Sequence, residues 1–189
     1  MMRDEILDAA ALIFREKGYH ATSMQDIAQA VELKKGSLYH HVSSKQDILL
    51  ALLDRALDLI IIDLQEVADR SLPPEDKLRA AMTTYLAFLT EHLSLSSVLL
   101  LEHRSLEPEF HQSHIPRRDH VESIWRSMIL DGIDQGVFQE VDPAHTTRAL
   151  LGMLNWTVTW YRPDGEMQPA EIAAQYTDYI LQGLLKGKG

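Results

Sequence analysis

The sequence predicts an all-α protein of about nine helices, and three observations carry that expectation. Apolar residues recur at three- and four-residue spacing along most of the chain. Each such stretch is bounded by a polar cap, a proline or a glycine, and no stretch shows the strict alternation of a half-buried strand. With 46% hydrophobic and 24% charged residues, 189 residues suffice for one compact unit or for a small module fused to a larger one.

The elements follow in order. Residues 4–17 put Ile6, Ala9, Ala10, Ile13 and Phe14 on one face, and Gly18 stops the helix. Ser23-Met24-Gln25-Asp26 reads as a reciprocal cap: the serine oxygen accepts from an orphan N–H and Asp26 reaches back. The helix it opens, over 24–31, turns Met24, Ile27, Ala28 and Val31 inward. A turn at 32–34 leads to a short segment, 36–41, anchored by Leu38. Ser43-Ser44-Lys45-Gln46-Asp47 starts a long amphipathic helix that ends near Asp69. Pro73 and Pro74 separate it from periodic stretches over 77–92 and 95–104. Pro108 and Pro116 bracket a His-rich connection, expected to be loop. A helix over 120–135 ends at Gly136, Asp142-Pro143 caps another over 144–161, and Arg162-Pro163-Asp164-Gly165 is a turn before the last, 169–185. A boundary near residue 48 would divide a 1–48 module from a 49–189 domain without a flexible linker.

Several function classes fall away. No apolar run approaches the roughly 20 residues of a membrane span, and no basic, then apolar, leader opens the chain, so neither membrane nor secretion is expected. The absence of cysteine excludes disulfides, thiolate zinc sites and cysteine nucleophiles, and it fits a reducing cytoplasm. Only two of nine glycines precede residue 131, and neither a phosphate-cradling loop, a nucleophile elbow nor an HExxH pair is present. Neither an enzyme nor a cofactor is expected. His103, His111, His114 and His120 lie near Glu102, Glu107 and Glu109, but their spacing fits no standard zinc motif, so no metal is expected either.

Charge is uneven. The chain carries net −10, yet residues 1–48 hold six basic and seven acidic side chains against twelve and twenty-one in the remainder. No acidic residue lies between Lys34 and Gln46. Two short helices with a tight turn form a helix-turn-helix, whose second helix can enter a major groove. The Thr22 and Ser23 end offers hydroxyls and a positive dipole end to a phosphate. Lys34, Lys35, Ser37, Tyr39, His40, His41 and Lys45 supply donors within twelve residues, and double-stranded DNA is the expected partner.

Ala10, Phe14, Gly18, Tyr19, Thr22, the Asp26-Ile27-Ala28 run, Gly36-Ser37-Leu38-Tyr39-His40-His41 and Ser44-Lys45 together resemble the TetR family of transcriptional repressors over about residues 3–50. Glu32 stands where that family usually has glycine, and Val42 where it has phenylalanine. The resemblance implies that Gly36–His41 lies in the groove with Lys34, Lys35 and Ser37 nearest the bases, while Tyr39, His41 and Lys45 clamp phosphates. Glu102-His103-Arg104, Gly132, Gly136-Val137-Phe138 and Leu154-Asn155-Trp156-Thr157 through Trp160-Tyr161-Arg162-Pro163-Asp164-Gly165 resemble TetR regulators of lipid and acyl-CoA degradation. This implies a cytoplasmic repressor released from its operator by a small hydrophobic ligand such as a fatty acyl-CoA. The competing reading is a helical binding or scaffold protein that no longer engages DNA; a helical metal enzyme is disfavoured by the ligand spacing.

The candidate ligand walls are Tyr85, Phe88, Leu89, Leu99, Ile124, Met128, Leu151 and Asn155, whose spacing fits ordinary core as well as a pocket. Arg104, Arg117 and Arg118 are candidate partners for an anionic head, with surface salt bridging as the alternative. Asn155, an amide within an apolar helix, needs partners: a ligand, a dimer mate or a neighbouring helix carbonyl. Trp156, Trp160, Tyr176, Tyr179, Ile180 and Leu184 give the last two helices more large apolar groups than exposed helices carry. They are expected to pair in a two-fold homodimer, which implies a palindromic operator.

Overall fold

The computed structural model describes residues 2–185. Nine α-helices occur among them: α1 (Met2–Lys17), α2 (Met24–Ala30), α3 (Lys35–Leu38), α4 (Lys45–Ala68), α5 (Pro74–Glu91), α6 (Leu93–Ser97), α7 (Pro108–Asp134), α8 (Pro143–Trp160) and α9 (Pro169–Leu184). A π-helical turn, Val98–Glu102, and a 3-10 turn, His103–Ser105, follow α6. No strand forms among the described residues; the one β-bridge joins Phe138 to Leu185. The chain packs as two units, Met1–Asp58 with His92–Arg117, and Leu59–Glu91 with Arg118–Gly189.

In the first unit, α1 buries Ile6, Leu7, Ala10, Ala11 and Phe14 against α2 and α6. Ile27, Leu38, Ile48, Leu49 and Leu52 complete this core with no exposed surface. The cap on α2 forms as the sequence implies. Asp26 N donates to Ser23 Oγ at 3.2 Å, while Ser23 N and Oγ donate back to Asp26 Oδ2 at 2.8 and 2.6 Å. Those donors hold the Asp26 carboxyl at about 2.

The other end of α2 explains the turn. Leu33 N donates to Ala28 O and Glu32 N to Gln29 O, which is the Schellman pairing and requires a left-handed residue between them. That residue is Glu32, at φ 55°, the one non-glycine with positive φ among the described residues. Its Cβ is crowded there, so Glu32→Gly is expected to raise unfolding stability by up to ~1 kcal/mol, read as a higher denaturation midpoint at unchanged slope.

In the second unit, α5 packs on α8 and α9. The turn after α7 repeats the Schellman pattern with a glycine: Gly136 sits at φ 70° and Val137 N donates to Gly132 O at 3.0 Å. Phe138 then folds back fully buried across Gly132.

Two expectations need correction. Residues 108–119, expected as loop, are the first turns of α7. Pro108 suits a first turn, where an N–H has no intrahelical partner. Pro116 removes one interior bond, that to the carbonyl of Gln112, but both residues are exposed, so water can take that carbonyl. The stretch 95–104 is not one α-helix either; it widens into the π turn and then tightens into 3-10 geometry.

Candidate functional site

The donor-rich segment forms one exposed ridge. Lys34 caps α3 and is followed by Lys35, Gly36, Tyr39, His40 and His41, all exposed, while Ser37 is half-buried and Leu38 is the buried anchor. Nothing lies within 4 Å of where a Gly36 Cβ would point, so packing leaves this backbone open to a partner. α3 is a single turn of four residues, and its position depends on Leu38 and on Val42, which is buried although smaller than the family's phenylalanine.

Three expected phosphate ligands have other employment. Thr22 is buried at 2% exposure, and its hydroxyl donates to Gly18 O at 2.8 Å. The Ser23 hydroxyl is engaged in the α2 cap. Lys45, at the start of α4, turns back over the α1–α2 connection: Nζ donates to Tyr19 O at 2.8 Å and to Thr22 O at 2.7 Å, and lies 4.3 Å from the Tyr19 ring centroid. The carbonyls at 19 and 22 need donors because the chain there is irregular, and a long cationic side chain reaches both. Burial lowers the Lys45 pKa. Thr22 and Lys45 therefore fix the α1–α2 connection from within.

Sequence reasoning gave no such structural role to two further residues, Glu102 and Gln46. Glu102 Oε1 accepts from Tyr19 N at 3.2 Å. Gln46 Nε2 donates to Ser105 O at 2.8 Å, and its Oε1 accepts from Glu107 N at 3.2 Å. One amide thus ties α4 to the chain on both sides of Leu106. Polar residues at the first turn of a helix are so common that nothing in the pattern distinguishes Gln46.

The expected ligand walls divide between the units. Tyr85, Phe88, Leu89, Ile124 and Met128 are buried in the second, where Leu151 and Asn155 are half-buried. Leu99, buried, and Arg104, exposed, belong to the first. Arg117 is committed to α4: it pairs with Asp58 and lies 3.7 Å from Asp54. Arg118 is exposed. Asn155 has found its partner on α5, where the Tyr85 hydroxyl donates to Oδ1 at 2.7 Å. The Tyr85 ring meets Trp125 edge-on, centroids 5.6 Å apart, and burial raises the Tyr85 pKa well above its usual range. Among the described residues, no three His, Asp or Glu side chains are placed to hold a metal ion.

On α8 and α9, Trp156 is 66% exposed, Trp160 39% and Tyr179 62%, with Tyr176 and Ile180 half-buried. Leu184, expected with them, is buried in its own unit. Its carbonyl accepts from Gln139 N at 2.8 Å, beside the Phe138–Leu185 bridge, which turns that end of α9 inward.

Similarity to known proteins covers both units. Residues 6–52 match the family profile described as bacterial regulatory proteins, tetR family, and residues 71–184 match the tetracyclin repressor-like C-terminal domain. Among solved structures, the TetR family transcriptional regulator PfmR from Thermus thermophilus is 41% identical, with 96% of this chain and 99% of that one covered and a TM-score of 0.88. AibR, solved in complex with isovaleryl coenzyme A and operator DNA, is 29% identical over 95% of this chain and 97% of its own, with a TM-score of 0.88. The HTH-type transcriptional repressor KstR2 of Mycobacterium tuberculosis is 27% identical over 186 residues, 97% of this chain and 93% of that protein.

Proposed function

The chain belongs to the TetR family of DNA-binding transcriptional regulators, and on that premise we propose that it is a cytoplasmic, homodimeric repressor released from a palindromic operator by an acyl-CoA. The observation that carries the reading is the ridge from Lys34 to His41. It is free of acidic residues and exposed at six positions, in a chain of net −10. A polyanion has no comparable reason to approach the remainder of so acidic a molecule. Lys34, Lys35 and Ser37 face the base edges, and Tyr39, His40 and His41 meet the backbone, with Gly36 allowing close approach. Thr22, Ser23 and Lys45 contribute by fixing the α1–α2 connection beneath the ridge and by leaving the α2 N-terminus near a phosphate.

A dimer through α8 and α9 supports palindrome recognition. Trp156, Trp160 and Tyr179 are large apolar groups whose exposure is costly unless a second copy covers them. The acyl-CoA reading draws on AibR, whose complex holds isovaleryl coenzyme A, and on the apolar residues around Tyr85. Release requires the ligand to bind better to a form whose two ridges are misplaced for DNA; equal affinity for both forms would shift nothing. The chain acts by binding and not by catalysis.

The test is a gel-shift titration against the chain's own upstream DNA with a salt series. Specific retardation that isovaleryl-CoA or a longer acyl-CoA reverses is expected. The double variant Trp156→Glu with Tyr179→Glu should sediment as a monomer and lose at least ~100-fold in operator affinity, since one ridge binds one half-site alone. Retardation by that monomer at full affinity would remove the dimer from the mechanism.

A further inference from the structure

The core of the second unit holds an unusual set of polar groups. Trp125, on α7, has no exposed surface, and its indole Nε1–H has no hydrogen-bond partner. Most buried indoles find an acceptor, because an unmet donor in an apolar interior forfeits the water it left behind. Against the same Tyr85 ring that Trp125 touches edge-on, the Tyr85 hydroxyl is directed at Asn155. That bond uses Asn155 Oδ1 as the acceptor, so the amide is oriented with its Nδ2 hydrogens on the other side. Three helices, α5, α7 and α8, thus each contribute one polar group, with Tyr85 linking the other two; Phe88 and Leu89 on α5 and Ile124 and Met128 on α7 are buried neighbours in sequence.

The inventory is lopsided in a useful way. Trp125 Nε1–H and Asn155 Nδ2–H are donors, and the cluster's one strong side-chain acceptor besides the tyrosine oxygen is already taken. A purely apolar chain passing here would leave the indole N–H unmet. An ammonium would bring donors alone, and a hydroxyl would bring a further donor that a lone pair of Tyr85 or Asn155 would have to meet. A carbonyl oxygen brings two lone pairs and no hydrogen.

We infer that Trp125, Asn155 and Tyr85 form a subsite for a carbonyl oxygen of the effector, with Trp125 and Asn155 as donors and Tyr85 as the group that fixes the amide. The inference rests on the acyl-CoA reading above and adds that the acyl ligand is recognised by its oxygen as well as by the fit of its chain. Two carbonyls can serve: the thioester itself, or a ketone further along the chain.

Three CoA compounds of matched size separate these possibilities on the wild-type protein, by calorimetric titration and by release from DNA. They are isovaleryl-CoA, the S-isopentyl thioether that lacks its carbonyl, and a thioether ketone whose carbonyl lies one carbon further from sulfur. At least one carbonyl compound should bind about tenfold or more tightly than the plain thioether, and the better of the two identifies which carbonyl is read. In Asn155→Leu, which keeps the volume of a half-buried side chain, the preference should fall below about threefold while the thioether binds as before. Trp125→Phe should act in the same direction; because its site is fully buried, the ligand-side comparison on unaltered protein carries the test if that variant fails to fold. Equal affinity for all three compounds in the wild type overturns the subsite and leaves the acyl-CoA reading intact. Failure of every CoA compound to bind sinks the acyl-CoA reading and the subsite together, a result distinct from the first.

Discussion

Gly132→Ala is expected to destabilise the protein by about 3 kcal/mol, at the upper end for a one-methyl insertion into a packed core. In an exposed helix the same change stabilises by up to ~1 kcal/mol, because alanine loses less backbone freedom. Here the sign reverses through a single contact. A Cβ on Gly132 would lie 2.1 and 2.3 Å from Cδ2 and Cε2 of Phe138. The ring has nowhere to go: it is fully buried, Phe138 N donates to Gly132 O at 2.9 Å, and Gln139 N is tied to Leu184 O at 2.8 Å. A fall in melting temperature of roughly 6–12 °C follows for a chain of this size. Gly152→Ala on α8, where nothing lies within 4 Å of the added carbon, should leave stability equal or slightly raised. Equal melting of the Gly132 variant and the wild type would mean that Phe138 does not cover Gly132.

The second large effect is expected from Lys45→Met, which keeps the length of the side chain and removes the ammonium. Two carbonyls, those of Tyr19 and Thr22, lose their donor, and the ring of Tyr19 loses the cation above it. Hydrogen bonds from charged donors are worth about 1.5–3 kcal/mol each by substitution, discounted here because Lys45 is only partly buried, so a net loss of about 2 kcal/mol is expected. DNA affinity should fall with it, because the connection that seats α2 beneath the ridge loosens. The dependence of affinity on salt should change little, since no phosphate contact is removed. A direct phosphate ligand would behave in the opposite way: unchanged melting, and a salt slope shallower by about one. Thermal unfolding and a salt titration on the same variant decide between the two.

These two residues also mark where the sequence stops being readable. Both are visible as members of a family pattern, but the pattern gives Lys45 a partner outside the molecule, while its side chain folds back to two carbonyls 26 and 23 positions earlier. No periodicity encodes that, because the carbonyls belong to an irregular connection whose path only the packed unit defines. Thr22 goes the same way: a hydroxyl before a capping serine reads as outward-facing until Gly18, at φ 82°, bends the chain so that it turns in. What is legible is local. The Ser23–Asp26 cap, the left-handed requirement at Glu32 and the stops at Gly18 and Gly136 depend on neighbours within five residues, and all of them form. The helix over 108–119 escapes a reading of the sequence because proline signals a break, and exposure of the carbonyl it strands is a property of the surface and not of the sequence. In the second unit, Tyr85 and Asn155 are each found singly, by periodicity and by polarity. That one donates to the other across 70 positions, and that Trp125 joins them, requires the packing of three helices.

The π turn at Val98–Glu102 has a further consequence, in the history of the chain. A π turn is an α-helix that has accepted one extra residue, and each residue in an α-helix advances by about 100° around the axis. Everything after the insertion therefore faces a different direction from that which an uninterrupted α6 would give it. Glu102 closes the turn, and its carboxylate takes the backbone N–H of Tyr19. A gene lacking one codon here would encode a more regular helix whose glutamate swings about a quarter-turn away from α1, while the buried Val98 and Leu99 before it stay in register. Single-codon gain is a small genetic step, yet it re-aims a whole segment without disturbing the core that precedes it. Helices at this point in the chain thus have a route to acquire or lose the Glu102–Tyr19 connection in one event, at the cost of re-aiming the residues that follow, the buried Leu106 among them.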